Sequence, residues 1–370
     1  MTKPISILHT ESSIGWGGQE IRILTEARGM LDRGHRVMLL TPENAEMLPV
    51  AKKMGVPATA INIGKKRIGP LLAMRGWLAN QLHEIDVINT HSSTDSWLAA
   101  VAAATLANAP PIVRTRHVST AINNHWSTRW LYTRATGYIV TTGEALRQQL
   151  NRDNGYALNR MTSVRTGIDL QRFRPLDKQQ MRVDLGVADH LTIGILATLR
   201  DWKGHHYLLD AIKLLAVEFP QWKLIVIGDG PQRARLEARV QNESLANTVR
   251  FVGNVDNVPE WLSALDLFTL PSYGDEGVPQ GIMQAMACGL PVVSTSVGAI
   301  NEAVQDGNTG LIVATRDAAA LADGLGKLMR DSTLRRRMGA ASLEYAQQHF
   351  GLDVMLDKML AVFQQQRTKA

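Results

Sequence analysis

Apolar positions along the chain fall into two alternating rhythms. Short apolar runs at 5–9, 35–41, 58–63, 86–90, 112–115 and 138–142 have the length and the polar borders of buried strands. Between them, apolar residues recur every three or four positions. In 19–33, Ile21, Leu24, Ala27 and Leu31 form one stripe, and Gly34 supplies the stop. Short strands that alternate with amphipathic helices predict parallel sheets covered by helices on both faces.

The rhythm breaks once. Gly167, Ile168 and Asp169 lead into Arg172-Phe173-Arg174-Pro175, a polar stretch closed by proline that reads as a linker. Apolar runs resume at 191–199, 223–227, 249–252, 267–270, 291–294 and 310–313, each followed by a helical pattern. The expected fold is therefore α/β, with two doubly wound, Rossmann-like domains facing across a cleft. Residues 1–170 form the first domain, 171–350 the second, and 351–370 a last helix that packs back on the first. Doubly wound sheets bind ligands at the carboxyl ends of their strands.

Composition supports a globular reading. The chain has 370 residues, 45% hydrophobic and 20% charged, which excludes a disordered or collagen-like protein. A single cysteine, Cys288, excludes an internal disulfide framework. No apolar run approaches the ~20 residues of a spanning helix, and the run at 5–8 is a strand rather than a signal peptide. A cytoplasmic protein is expected. Charge is uneven. Residues 1–170 carry 19 Lys and Arg against 12 Asp and Glu, and the remainder 21 against 22. An anionic partner for the first half, or simply a solvated basic face, accounts for this. Lys52-Lys53 and Lys65-Lys66-Arg67 precede Ile68, Leu71, Leu72, Trp77 and Leu78. That pattern fits an interfacial membrane element or a core-facing amphipathic helix. Aromatic and basic residues are not interleaved, so nucleic acid is not an expected partner.

Three stretches carry candidate chemistry. Gly15-Trp16-Gly17-Gly18-Gln19-Glu20 follows the first strand, where glycines let backbone approach an anion at a helix start. Arg200-Asp201-Trp202-Lys203-Gly204 follows the strand at 191–199, and its two cations suit a diphosphate. The third runs from Pro271 through Gly274-Asp275-Glu276-Gly277 to Gln280-Gly281-Ile282-Met283-Gln284 and Ala287-Cys288-Gly289-Leu290-Pro291-Val292-Val293. It sets a carboxylate beside a helix N-terminus.

This third stretch resembles the signature of glycosyltransferase family 4, retaining enzymes of the GT-B type. Gly17-Gly18-Gln19-Glu20, Arg200 with Lys203-Gly204, Gly167-Ile168-Asp169, Gly228-Asp229-Gly230-Pro231 and Gly253-Asn254-Val255 resemble further family motifs in the family's order. The resemblance implies transfer of a sugar, a hexose above all, from a nucleotide-sugar to a saccharide or lipid-linked acceptor. Bacterial envelope polysaccharide or lipopolysaccharide synthesis is the implied setting, on the inner face of the membrane. It implies that Arg200 and Lys203 hold the diphosphate and that Glu276 accepts bonds from sugar hydroxyls. It places His117, after Arg114-Thr115-Arg116, near the reacting sugar. Gly17, Gly18, Gly228, Gly281, Ile282 and Gln284 become nucleotide contacts. Gln284 stands where the family has a ribose-binding glutamate, so the nucleotide is left open. With no Asp-x-Asp motif, neither a metal nor another cofactor is expected. A same-face attack, with the leaving phosphate taking the acceptor's proton, needs no nucleophilic carboxylate. A sugar-nucleotide epimerase of the same plan and a non-catalytic nucleotide-sugar-binding subunit are the alternatives.

Overall fold

The computed structural model describes residues 3–368 apart from 118, 119, 188, 189, 217 and 275. The chain divides into two compact units, Met1–Gly167 with Leu352–Ala370, and Ile168–Gly351. Each unit is one parallel sheet clothed by helices.

The first sheet has seven strands: β1 (Ser6–Thr10), β2 (Arg36–Thr41), β3 (Ala58–Ala60), β4 (Val87–Thr90), β5 (Ile112–Arg116), β6 (Tyr138–Thr141) and β7 (Met161–Ser163). Their order is β3-β2-β1-β4-β5-β6-β7. The winding reverses between β1 and β4, which makes that crevice the place where a ligand meets the strand ends. Period two within the strands feeds two cores. Ile7, Leu39, Val87, Val113 and Val140 face one side, where the helices Gly18–Asp32 and Leu352–Arg367 pack. Leu8, Leu40, Ile88, Ile112 and Ile139 face the other. The last helix is integral to this unit: Met355, Leu356, Met359 and Phe363 are buried against the first core. Each such side chain contributes ~1.5–3 kcal/mol by leaving water.

The second sheet has six strands: β8 (Leu191–Leu196), β9 (Trp222–Ile227), β10 (Val249–Gly253), β11 (Leu267–Leu270), β12 (Val292–Thr295) and β13 (Gly310–Val313). The order β10-β9-β8-β11-β12-β13 repeats the same winding, with its reversal between β8 and β11. The unit boundary falls at Gly167 and Ile168 because Ile168 packs in the second core and pairs with Gly351.

Two strands differ from the sequence pattern. The run at 58–63 pairs only over Ala58–Ala60, where β2 runs out of partners. The run at 191–199 leaves the sheet after Leu196, and Leu199 instead bonds the carbonyl of Asp229. Strand β7, too short to show a period, was not expected. Among the described residues no helix is long and apolar enough to cross a membrane.

Candidate functional site

In the second unit the candidate residues gather at the carboxyl ends of β8 and β11. After β8 the chain reaches Arg200 and then one turn of 3-10 helix, Asp201–Lys203. Gly204 ends that turn with φ +76, and a Cβ there would lie 2.0 Å from the carbonyl oxygen of Pro271. Only glycine lets the two loops press together this way. The Tyr273 amide then donates to the Trp202 carbonyl at 2.8 Å.

This contact brings two predicted residues into direct pairing. Lys203 Nζ donates to Glu276 Oε1 at 2.6 Å, and the Ser272 hydroxyl donates to the same oxygen at 2.7 Å. The side chains are only 17% and 9% exposed, so the pair is shielded from bulk water. The Glu276 carbonyl is fixed from behind by the Ala299 amide at 3.0 Å. Gly298, at φ +58, makes room for it, since a Cβ would stand 2.0 Å from that carbonyl. Arg200 is exposed, its guanidinium 5.2 Å from the centre of the Trp202 ring. Asp275, beside Glu276, lies outside the described residues.

The helix Gln280–Ala287 starts close to the end of β8, because a Cβ on Gly281 would come 2.4 Å from the Leu196 carbonyl oxygen. Its first turn therefore lies against the end of β8, with the partial positive charge of a helix N-terminus. Gln284 follows one turn later and is half-buried. Ile282 needs a correction: its side chain is fully buried in the second core, so only its backbone is available to a nucleotide. Gly228 packs the turn after β9, where a Cβ would lie 2.2 Å from the Ala197 carbonyl. Its amide is already bonded to the Gly253 carbonyl at 2.8 Å, so its visible part is structural.

In the first unit, His117 directly follows β5. It stands at the end of a row of imidazoles that crosses three neighbouring strands on one face of the sheet. His9 Nδ1 is 2.9 Å from His91 Nε2, and His91 Nδ1 is 2.9 Å from His117 Nε2. His9 and His91 are buried. Burial first, then the adjoining imidazoles and Arg22 for His91, and Arg22 and Arg116 for His117, hold these two rings well below the usual histidine value, and burial alone takes His9 down to about 3. All three are neutral at neutral pH. The same strand ends hold two buried carboxyls, Glu11 and Asp95. Asp95 accepts from Thr10 Oγ1 at 2.8 Å and from the His91 amide at 3.0 Å. Glu11 accepts from the Ser13 amide at 2.7 Å and from Gln19 and Ser92. Burial raises both carboxyls.

Gly17 and Gly18 open the helix Gly18–Asp32, but a Cβ on Gly17 would lie 3.6 Å from a Glu20 carboxylate oxygen. That carboxylate already sits against the positive end of the helix, where an incoming anion would meet it. His9, His91, Glu11 and Asp95 were not singled out from sequence. The available signal is position: each is polar and lies at, or just beyond, the carboxyl end of an apolar strand or in the helical turn after it. A hollow of about 920 Å³ lined by Val187, Lys223, Glu237 and Arg250 includes none of the candidate residues.

Comparison with known proteins gives this arrangement a family. Residues 190–331 match the family "Glycosyl transferases group 1", and residues 16–172 match "Glycosyltransferase Family 4". The chain is 34% identical over 251 residues to the lipopolysaccharide core biosynthesis mannosyltransferase LpsB of Rhizobium meliloti, covering 65% of this chain and 68% of LpsB. The chain belongs to glycosyltransferase family 4. This glycosyltransferase is also 26% identical to the phosphatidyl-myo-inositol mannosyltransferase of Mycobacterium leprae, over 94% of its own length and 93% of that relative. Its fold is of the GT-B type. The crystal structure of Anabaena HepE in complex with UDP superposes with a TM-score of 0.86 at 21% identity, covering 98% of this chain and all of HepE.

Proposed function

We propose that the second unit of this glycosyltransferase binds a nucleotide-sugar, and that the enzyme transfers a hexose with retention, without a metal ion, to an envelope saccharide or lipid-linked acceptor. The observation that carries this reading is the Lys203–Glu276 contact between the loops after β8 and β11. It sets a cation for the leaving diphosphate directly beside an acceptor for sugar hydroxyls. Arg200 and the N-terminus of Gln280–Ala287 add positive potential where negative charge develops on the leaving phosphate. These groups take the part that a divalent cation plays elsewhere. The same phosphate accepts the acceptor's proton. His117 receives a hydrogen bond from a substrate hydroxyl. The glycan setting follows from the relatives that act on lipopolysaccharide core and on phosphatidyl-myo-inositol.

Membrane association belongs to the same reading. In the helix Ile68–Gln81, Pro70, Met74 and Leu78 face the core, while Ile68 and Leu72 are 76% and 61% exposed. Lys65, Lys66 and Arg67 are exposed immediately before it. An apolar face beside a basic cluster suits an anionic bilayer.

A thermal-shift screen of UDP-, GDP-, ADP- and CMP-sugars in the presence of EDTA tests the donor assignment. A ligand at 100 times its Kd adds ~2.7 kcal/mol of stability. One donor series should raise the melting temperature and support transfer in EDTA. No shift with any of them would overturn the reading, and transfer abolished by EDTA and restored by Mn²⁺ would overturn its metal-free part.

A further inference from the structure

We propose that His9, His91 and Glu26 form a relay that fixes the tautomer of His117, so that His117 carries its proton on Nε2 and presents Nδ1 as an acceptor. The inference rests on the assignment of His117 to the substrate, and it names residues that act through His117 rather than on the substrate.

A neutral imidazole has one N–H and one lone pair. Two contacts at 2.9 Å link three such rings, His9 Nδ1 to His91 Nε2 and His91 Nδ1 to His117 Nε2. Each contact needs one donor and one acceptor, so only two arrangements satisfy the row. Either every ring is protonated on Nε2, or every ring is protonated on Nδ1. The rings cannot choose independently, and whatever acts on His9 decides His117.

What acts on His9 is Glu26. Its Oε1 lies 4.0 Å from His9 Nε2, and both side chains are fully buried. His9 Nε2 has no hydrogen-bond partner among the described residues, so its direction is set by the nearby charge. The acceptor character of Glu26 is itself held. Asn89 Nδ2 donates to Glu26 Oε1 at 3.4 Å, and Asn89 is oriented by Thr115 Oγ1, which donates to its carbonyl at 2.8 Å. Arg22 Nε lies 3.9 Å from Glu26 Oε2. An ionised Glu26 favours the proton on His9 Nε2. His9 Nδ1 then accepts from His91 Nε2–H, and His91 Nδ1 accepts from His117 Nε2–H. The other charged neighbours of the row are Arg22, whose charge also acts on His91 and His117, Asp95, which accepts from the His91 amide, and Arg116, next to His117 in the chain. From the helix Leu352–Arg367, the Phe363 ring packs T-shaped against His9, with ring centres 6.5 Å apart. No proton crosses the 4.0 Å gap; the carboxylate orients the row by charge alone. Burial raises Glu26 to about 7, so the row is held firmly above that pH and released below it. A substrate hydroxyl therefore donates to His117 Nδ1.

Nitrogen-15 spectra of the full chain, labelled at histidine and recorded at about pH 8, read the tautomers directly, with His117→Ala giving the assignment. The expected result is a protonated Nε2 on all three rings. Glu26→Gln, which keeps shape and fold, should leave His117 in exchange between tautomers. His91→Asn should do the same and lower kcat on the order of 10- to 100-fold, the size known for partners behind a metal-bound histidine, with donor Kd unchanged. A proton on His117 Nδ1 in the wild type, or an unchanged His117 spectrum in Glu26→Gln, would overturn the relay. These spectra need no turnover, so a failed relay with sugar transfer intact leaves the donor assignment standing. An intact relay without transfer would count against that assignment instead.

Discussion

Gln284 is the residue at which this glycosyltransferase departs from the motif it otherwise carries. An amide offers one acceptor group where a carboxylate offers two oxygens. Gln284→Glu should tighten nucleotide binding severalfold by isothermal titration and leave the preferred sugar unchanged. Weaker binding would mean that the site is built around the amide. Glu26 supplies a second residue-level test. Its folded value of about 7 is above its ordinary 4.5. The folded state keeps a proton that the unfolded chain releases, so stability is full below the ordinary value and is lost as pH rises through about 7. His9, lowered to about 3, has the opposite sign and loses stability as pH falls below its ordinary value. Relative to wild type, Glu26→Gln should gain melting temperature between about pH 5 and pH 8. A constant difference across that range would contradict a buried, raised carboxyl. Arg200, Lys203 and Glu276 were legible in the sequence because their spacing repeats a motif. His9, Glu11, His91 and Asp95 were not, because a lone polar residue at a strand end has no pattern. Only the sheet order places them side by side. Ile282 was legible as a position, but its side chain turned out to serve the core.

Most elements were readable, since an apolar run between helical stripes has few other uses. What failed were the ends. The run at 58–63 is apolar beyond Ala60, yet a strand lasts only as long as its neighbour, and β7 is too short for any period to show. The close approach of the helix Gln280–Ala287 to β8 is likewise invisible in sequence, where Gly281 reads only as a nucleotide contact. Gly281→Ala would place a Cβ 2.4 Å from the Leu196 carbonyl oxygen, which is backbone and cannot turn aside. The helix must shift, so the variant should melt at lower temperature and bind the nucleotide-sugar at least tenfold more weakly. Gly76→Ala in the exposed face of Ile68–Gln81 meets nothing within 4 Å. It should stabilise the protein by ~0.5–1 kcal/mol. If Gly281→Ala melts like wild type, the close packing of that helix start is not what holds it.

At the scale of the molecule, each unit repeats one winding, and each gathers its polar residues where that winding reverses. The charge split adds what the fold does not need. The exposed Lys65, Lys66 and Arg67 beside exposed Ile68 and Leu72 should bring the protein to anionic vesicles at low salt. Each basic residue near such a surface contributes ~1 kcal/mol, screened by salt. Reversing the three to Glu should abolish co-sedimentation and leave donor binding unchanged. Equal sedimentation of the variant would assign the basic patch to solvent.

In the proposed reaction, a cation held against Glu276 stabilises a departing nucleoside diphosphate. The most direct measurement is the rate of sugar transfer by wild type and by Lys203→Ala, using the donor that gives the thermal shift. The variant should lose ~10²-fold or more in kcat, equal to ~2.7 kcal/mol or more of transition-state stabilisation. Turnover within a factor of about two of wild type would show that Lys203 does not hold the leaving group, and would contradict the account.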